Sequence, residues 1–367
     1  MSQSKIKPLI IGDLIASIPI VQGGMGVGVS LSRLASAVAN EGAVGVIAAA
    51  GIGMREVDFY SNYLQANTRA LRREIRKARS MTSGILGLNI MVAFTNFSEL
   101  AATAMEERVD IIFSGAGLPL NLPKFRLAGS KTKLVPIVSS GRAASLLCKH
   151  WLAKYDYLPD AIVVEGPKAG GHLGFKKEHI FNPEYALENL ARDVIEETGV
   201  FAIRYGKKIP VIAAGGIYTG ADIRKFMDMG ADGVQMGTRF VATDECDADI
   251  EFKKMYIDSK AEDIVIIDSP VGMPGRAIRN KYIDDVSSGI KKPVKCPYHC
   301  IITCDHKNAP YCIANALINA QKGHFKNGFA FAGANAHKIS EIVSLKELMK
   351  TLMVEYDETF SPSSPII

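Results

Sequence analysis

The chain has no apolar run long enough to cross a bilayer. Its most apolar stretch, "GAVGVIAAAGIG", is short and interrupted by glycine. The N-terminus, "MSQSKIKPLIIGDL", has neither a long apolar core nor a small-residue cleavage site, which argues against secretion. A cytoplasmic, reducing setting is therefore expected, with the 6 cysteines mostly present as thiols. A strong excess of one charge is also missing: 43 Lys and Arg face 38 Asp and Glu, a formal net charge of +5. The one dense basic run, "RALRREIRKARS" (69–80), interleaves few aromatics. It reads as a solvated helix face rather than a nucleic-acid surface. Neither a membrane nor a nucleic acid is expected as a partner.

What is present is ordinary for a folded chain. With 48% hydrophobic and 22% charged residues, disorder is excluded and a sizeable core is affordable. A length of 367 residues allows two domains or one large barrel. Short runs rich in Val and Ile recur at 18–25, 44–51, 84–91, 110–117, 133–140, 161–166, 210–216 and 232–240. Most are continuously apolar, as strands buried on both faces of a parallel sheet must be. Helical patterns such as "SRLASAVANEG" and "ADIRKFMDMG" fall between most of them. Eight strands in β–α alternation over some 220 residues predict an α/β fold, a (β/α)8 TIM barrel.

An open dinucleotide-binding sheet is the rival. The first run continues into "GGMGVGVS", but this does not satisfy G-x-G-x-x-G. The second strand ends in "AAAG", where an acidic residue should hold a ribose. The barrel is therefore assigned to residues 1–240. Residues 241–367 are read as a cap or C-terminal extension packed on it, with a helical "DECDADIEFKKMYIDS", a strand and loop at 263–283, and a helical tail carrying the Cys-rich segment 296–312.

Barrel chemistry sits at the C-terminal ends of the strands. Those ends are Gly23-Gly24-Met25, Asn89, "SGAG" (114–117), Ser139-Ser140, Glu165 with "AGGH" (169–172), "AAGG" (213–216) and "MGTR" (236–239). Charge is nearly absent there. The carboxylate clusters of many hydrolases and the ligand sets of metal sites are both missing, so no metal ligands are assigned. The rim suits a large ligand that brings its own reactivity. "IPVIAAGGIYTGADIRKF" ends a strand in Gly215-Gly216 and opens a helix near Thr219, while "ADGVQMGTRF" ends the next in Gly237-Thr238. Loops after the seventh and eighth strands are where barrels place a phosphate, bound by backbone N–H groups.

Taken together and in order, "QGGMG", "LGLNIM", "SGAGLP", "VEGPKAGGHLG", "IPVIAAGGI", "GVQMGTRF" and "GMPGRAIRN" resemble the nitronate monooxygenase (2-nitropropane dioxygenase) family, which includes flavin-dependent enoyl-acyl-carrier-protein reductase II. The likeness spans roughly residues 15–280. It implies FMN in a (β/α)8 barrel. Gly24 and Met25 would line the isoalloxazine, with Gly23 beside them, and Asn89 would touch its polar edge. Ser139 and Glu165 would lie beside the flavin and ribityl chain, and Gly170-Gly171 would pass close to it. Gly215, Gly216, Gly237 and Thr238 would hold the phosphate, next to Ala214, Gln235 and Met236.

The same likeness makes His172 the catalytic residue, over the flavin face. An unperturbed imidazole titrates near pH 6.5, so it could bind nitro oxygens as imidazolium or take the α-proton of a nitroalkane. The implied activity is oxidation of alkyl nitronates or nitroalkanes with O2. The alternative is a flavin reductase fed by NADH or NADPH and acting on an enoyl thioester; a quinone-like acceptor also falls within the small-molecule substrates considered. The assembly it allows is a homodimer. The family pattern usually carries a carboxylate where this chain has Lys168, a reversal pointing to a phosphorylated or acidic co-substrate, or simply to a solvated loop lysine.

The tail adds further features, its segment 310–339 resembling the C-terminal segment of some family members. Cys296, Cys300, Cys304 and Cys312 form C-x3-C-x3-C-x7-C, with His299 and His306 nearby. On a helix, the spacing of four would put three thiols on one face, which leaves a zinc, iron–sulfur or electron-relay module open. Yet no standard C-x2-C spacing is matched, and cysteines also serve as small buried hydrophobes. The segment "PYCIANALINAQKGHFKNGFAFAGANAHKI" (310–339) is expected to fold back over the barrel mouth. Asn335 and His337 within it are read as packing or capping residues.

Overall fold

The computed structural model describes residues 6–290, 296 and 299–359. The outer ends of the two expected units (1–5 and 360–367), together with 291–295 and 297–298 of the Cys-rich region and its approach, lie outside these. The described chain opens with a hairpin, β1 (Leu9–Ile11) and β2 (Leu14–Ala16). Next comes the barrel: β3 (Ile20–Gln22), β4 (Gly45–Ala48), β5 (Leu86–Met91), β6 (Ile111–Gly115), β7 (Lys133–Val138) and β8 (Ile162–Glu165). A two-residue strand, β9 (Gly171–His172), interrupts the series before β10 (Val211–Ala214) and β11 (Gly233–Met236).

The eight barrel strands are parallel, in the order β3-β11-β10-β8-β7-β6-β5-β4. The two ends of that order meet: Val21 bridges Val44, the Gln22 N–H donates to Val44 O at 2.9 Å, and the Val44 N–H donates to Ile20 O at 2.9 Å. The sheet is thus a (β/α)8-type barrel. All eight predicted runs contain a strand, but each prediction was longer than its strand. The extra residues are the small and glycine-rich loops that leave the sheet to build the site.

Around the barrel run α1 (Ser32–Asn40), α2 (Tyr63–Met81), α3 (Phe97–Glu106), α4 (Gly141–Tyr155), α5 (Leu187–Tyr205) and α6 (Gly220–Asp228). The β6–β7 crossover has only a single 3-10 turn, Leu122–Phe125. Helix α6 starts where the sequence places it, with Thr219 as N-cap and Asp222 completing a capping box. The basic run lies on α2, and its arginines are matched one after another. Arg69 pairs with Glu56 and Asp58, Arg72 with Glu106 and Glu107, Arg73 with Glu56, Arg76 with Glu107, and Arg79 with Asp110. This is a solvated helix face whose charge is largely neutralised by neighbouring turns.

One core lies inside the barrel, where Val21, Val46, Phe113, Val135, Val163 and Ile212 pack with Leu9 and Ile11 of the hairpin. The hairpin therefore closes the end of the barrel opposite the strands' C-termini. A larger core fills the space between sheet and helices and includes Trp151, whose Nε1 donates to Pro119 O at 3.1 Å.

After β11 follow α7 (Thr238–Val241), α8 (Ile250–Ile257), β12 (Ile264–Asp268), β13 (Pro274–Ile278), α9 (Lys281–Ser287), α10 (Ile313–Gln321) and α11 (Leu345–Glu358). Here the structure corrects several expectations. The run at 244–259 is helical only over α8. Residues 263–283 form a hairpin rather than one strand and a loop, and β13 recruits β9 to make a third sheet, β12-β13-β9. Cys296, Cys300 and Cys304 lie outside any helix or strand, so no helix face aligns their thiols. The helix begins only after Cys312. The extension shares a core with barrel loops, in which Val29, Tyr218 and Val241 pack with Phe252, Tyr256, Ala332 and Ile339. Its last helix, α11, lies along α6, and Glu355 accepts from the Gly220 N–H at 2.7 Å. Among the described residues, no helix is long and apolar enough to cross a membrane.

Candidate active site

A cavity of about 1030 Å3 opens at the C-terminal ends of the barrel strands. Its walls hold Gly23, Gly24, Met25, Asn89, Ser139, Glu165, Gly170, Gly171, His172, Ala214, Gly215, Gly216, Gln235, Met236, Gly237 and Thr238. Every residue that the family resemblance assigned to the cofactor, together with His172, is brought to this one space, although they span more than two hundred positions of the chain.

Each loop is held by a partner that sequence reasoning missed. Gln22, fully buried at the end of β3, turns its amide to the chain: Nε2 donates to Gly23 O, and Oε1 accepts from the Val46 N–H at 3.0 Å. The Met25 N–H donates to Ser30 Oγ at 2.9 Å. On the opposite wall, Arg276 of β13 is 4% exposed and donates to Pro167 O at 3.1 Å, anchoring the start of the loop that carries His172. Burial lowers the pKa of that guanidinium. The signal for Arg276 was present in "GMPGRAIRN", but only the pairing of β13 with β9 gives it meaning.

His172 is placed by three contacts. Its backbone pairs with Gly275 across β9 and β13, its ring meets Phe331 edge-on at 4.9 Å, and Nε2 shares a 2.7 Å hydrogen bond with Ser269 Oγ. The four glycines around it suggested an isolated ring; instead the extension supplies both ring contacts. Nδ1 is left for a ligand. Desolvation lowers the imidazole to about 4, so it is neutral at pH 7. This departs from the unperturbed value near 6.5 assumed from the sequence.

Glu165, at the end of β8, is moved the other way. Desolvation raises its carboxyl to about 7, and it makes no hydrogen bond with the described residues. A carboxyl group recessed beside a cavity without a partner is a natural hydrogen-bonding site for a hydroxylated ligand.

At the cavity's other end stand the loops after β10 and β11. Gly215 and Gly216 have φ of +99° and +95°, conformations that L side chains rarely adopt. The N–H groups of Gly216, Gly237 and Thr238 donate to no described protein atom, leaving a cluster of free donors beside the Thr238 hydroxyl. The N-terminus of α6 takes no part, because its first N–H groups are consumed by Asp222, Thr219 and Glu355. Lys168 lines the cavity with its stem packed against Gly216.

The extension forms the roof. Phe331, Ala332, Gly333, Ala334 and Asn335 line the cavity, as expected for a segment folded over the barrel mouth. Asn335 Nδ2 donates to Gly216 O at 2.7 Å and so ties the roof to the β10 loop. His337 stays outside the lining, its Nδ1 at 3.1 Å from Ala334 O. Gly170 is a glycine for the roof's sake, since a Cβ there would stand 2.6 Å from backbone atoms of Ala332 and Gly333.

The architecture, a parallel barrel with a cavity at the strand C-termini and a glycine-lined rim, is that of a cofactor-using barrel enzyme. The nitronate monooxygenase family model matches residues 8–355, and the chain belongs to that family, whose enzymes are oxidoreductases that in general use flavin. Among curated relatives, (3aS,4S,5R,7aS)-5-hydroxy-7a-methyl-1-oxo-octahydro-1H-indene-4-carboxyl-CoA dehydrogenase of Mycobacterium tuberculosis is 28% identical over 271 residues, 74% of this chain and 66% of that protein. The match thus falls just short of two thirds of that relative's length. A probable nitronate monooxygenase of Staphylococcus aureus is 28% identical over 305 residues, 73% of this chain and 77% of the relative. The solved structure of FabK from Thermotoga maritima superposes with a TM-score of 0.73 at 26% identity, covering 93% of each chain.

Proposed function

We propose that this protein is an FMN-dependent oxidoreductase that oxidises alkyl nitronates or nitroalkanes with O2. The observation that carries the reading is the convergence of all the family-motif residues on one cavity with free backbone donors at one end and a titratable ring at the other. The N–H groups of Gly216, Gly237 and Thr238 suit the phosphate, with the Thr238 hydroxyl as a further donor and Lys168 beside them. Glu165 and Ser139 would meet the ribityl hydroxyls. Gly23, Gly24, Met25 and Asn89, on the strands opposite, would face the ring system, with Ala214, Gln235 and Met236 beneath the chain joining the two ends. When bound, the flavin supplies the electron-transfer chemistry.

His172 works on the substrate side. A neutral imidazole accepts a proton, so the observed environment favours removal of the α-proton from a nitroalkane over anion binding by an imidazolium. Ser269 fixes the ring's orientation and Phe331 excludes water from one edge.

A second reading has its own support. The likeness to FabK and the room left in a 1030 Å3 cavity favour a longer substrate, such as an enoyl thioester reduced at the expense of NADH or NADPH. One experiment separates the two. The purified protein is mixed anaerobically with a nitronate, NADH or NADPH, and flavin absorbance is followed. Bleaching by the nitronate alone supports the monooxygenase, and rapid bleaching by a pyridine nucleotide alone supports the reductase. Colourless protein that takes up no added FMN would falsify both.

A further inference from the structure

Beside the large cavity lies a small hollow lined by Cys296, His299, Cys300, Cys304, His306 and Cys312. None of the four cysteines is in a disulfide. Cys296, Cys300 and Cys304 lie outside helix and strand, and Cys312 is the N-cap of α10, so no regular helix face gathers them. Small hydrophobic fillers have no reason to gather in this way; Cys148 and Cys246 are buried singly elsewhere.

The sulfurs have polar neighbours. The His299 N–H donates to Cys296 Sγ at 3.2 Å, and Cys312 stands at the N-terminus of α10. A helix N-terminus favours a negative sulfur. His299 is itself held in the turn, its ring nitrogen 3.2 Å from Cys304 O and its ring 4.5 Å from that of His306. All four sulfur-bearing side chains line this one hollow.

The same set is not drawn tight enough for one ion. Among the described residues, no group of three or more His, Cys, Asp or Glu is placed to hold a single metal. Four thiolates around one zinc, each about 2.3 Å from it, stand only ~3.8 Å apart. Around an iron–sulfur cluster the ligating sulfurs are spread by the irons and sulfides between them, with four cysteines as the usual ligand set.

We propose that Cys296, Cys300, Cys304 and Cys312 ligate an iron–sulfur cluster. Cys300, Ile301 and Ile313 border both the hollow and the large cavity, so the cluster shares a wall with the active site. The proposal does not rest on the flavin reading, because its test counts iron and sulfide chemically.

The full-length protein is purified anaerobically, incubated with ferrous iron and sulfide, desalted, and assayed for iron, acid-labile sulfide and zinc. The expected result is about 2 or 4 irons per chain with matching sulfide, and an electron paramagnetic resonance signal on dithionite reduction. Cys304→Ser and Cys312→Ser should each lower bound iron at least fivefold. A readout on the unaltered chain guards against a folding defect in either variant: cluster-loaded protein should protect these four thiols from alkylation, as read by peptide mass. Stoichiometric zinc without sulfide, iron without sulfide, or less than about 0.2 iron per chain after reconstitution would each overturn the proposal.

Discussion

Burial moves two titratable side chains of the cavity in opposite directions. His172 falls to about 4 and Glu165 rises to about 7, both through desolvation of the charged form. For the histidine the folded value lies below the ordinary 6.5, so its contribution to stability is complete above that pH and is lost as pH falls through about 4. For the glutamate the folded value lies above the ordinary 4.5, so stability is complete below that and is lost as pH rises through about 7. In flavin-free protein, Glu165→Gln should therefore raise Tm more at pH 8 than at pH 5, by roughly 2–5 °C. Equal shifts at both pH values, read by calorimetry, would count against a buried, unpartnered carboxyl. In catalysis, the acid limb of kcat/KM reports the free enzyme. It should fall near pH 4, not near pH 6.5. His172→Ala should lower kcat about 10²–10⁴-fold with flavin still bound, and stopped-flow with a nitroalkane is the measurement that reads it.

At the scale of elements, the loop after β8 and the roof segment 331–335 depend on each other. Gly170 lets the roof backbone approach, β9 joins β13, and Asn335 reaches across to Gly216. Gly170→Ala puts a methyl group where only 2.6 Å is free, against backbone that cannot rotate away. The roof must lift, at a cost of about 1–3 kcal/mol. Chemical unfolding should show that loss, and flavin release should speed up with it. An unchanged midpoint and release rate would mean that the roof is looser than this packing indicates.

Across the whole molecule, binding energy for a flavin is divided between a ring-facing wall and a phosphate-facing end. Riboflavin, which lacks the phosphate, should stabilise the protein much less than FMN at equal concentration. A ligand at 1,000 times its Kd adds about 4 kcal/mol, so a tenfold weaker Kd costs ~1.4 kcal/mol of that gain. Thermal shift with the two ligands tests this, and Lys168→Glu should narrow the gap between them by placing a negative charge beside the same loop. Equal stabilisation by both ligands would remove the phosphate site from the β10 and β11 loops.

The amino-acid order by itself determined the barrel, because eight apolar runs alternating with amphipathic stretches leave few other ways to bury both faces of a parallel sheet. It also determined which loops form the rim, since strand ends are where buried apolar sequence gives way to glycine and small polar residues. Ser269, Phe331, Arg276 and Gln22 were not legible in that way. Each acts through at least one partner on another element (97 residues separate His172 from Ser269, and 24 separate Gln22 from Val46), and no local periodicity encodes such a pairing. Only the tertiary structure decided that His172 is neutral, because its pKa is set by a wall assembled from the extension. The same holds for the four cysteines of the tail. Their spacing suggested a helix face that does not exist; the thiols meet instead around one hollow formed outside helix and strand, up to the start of α10.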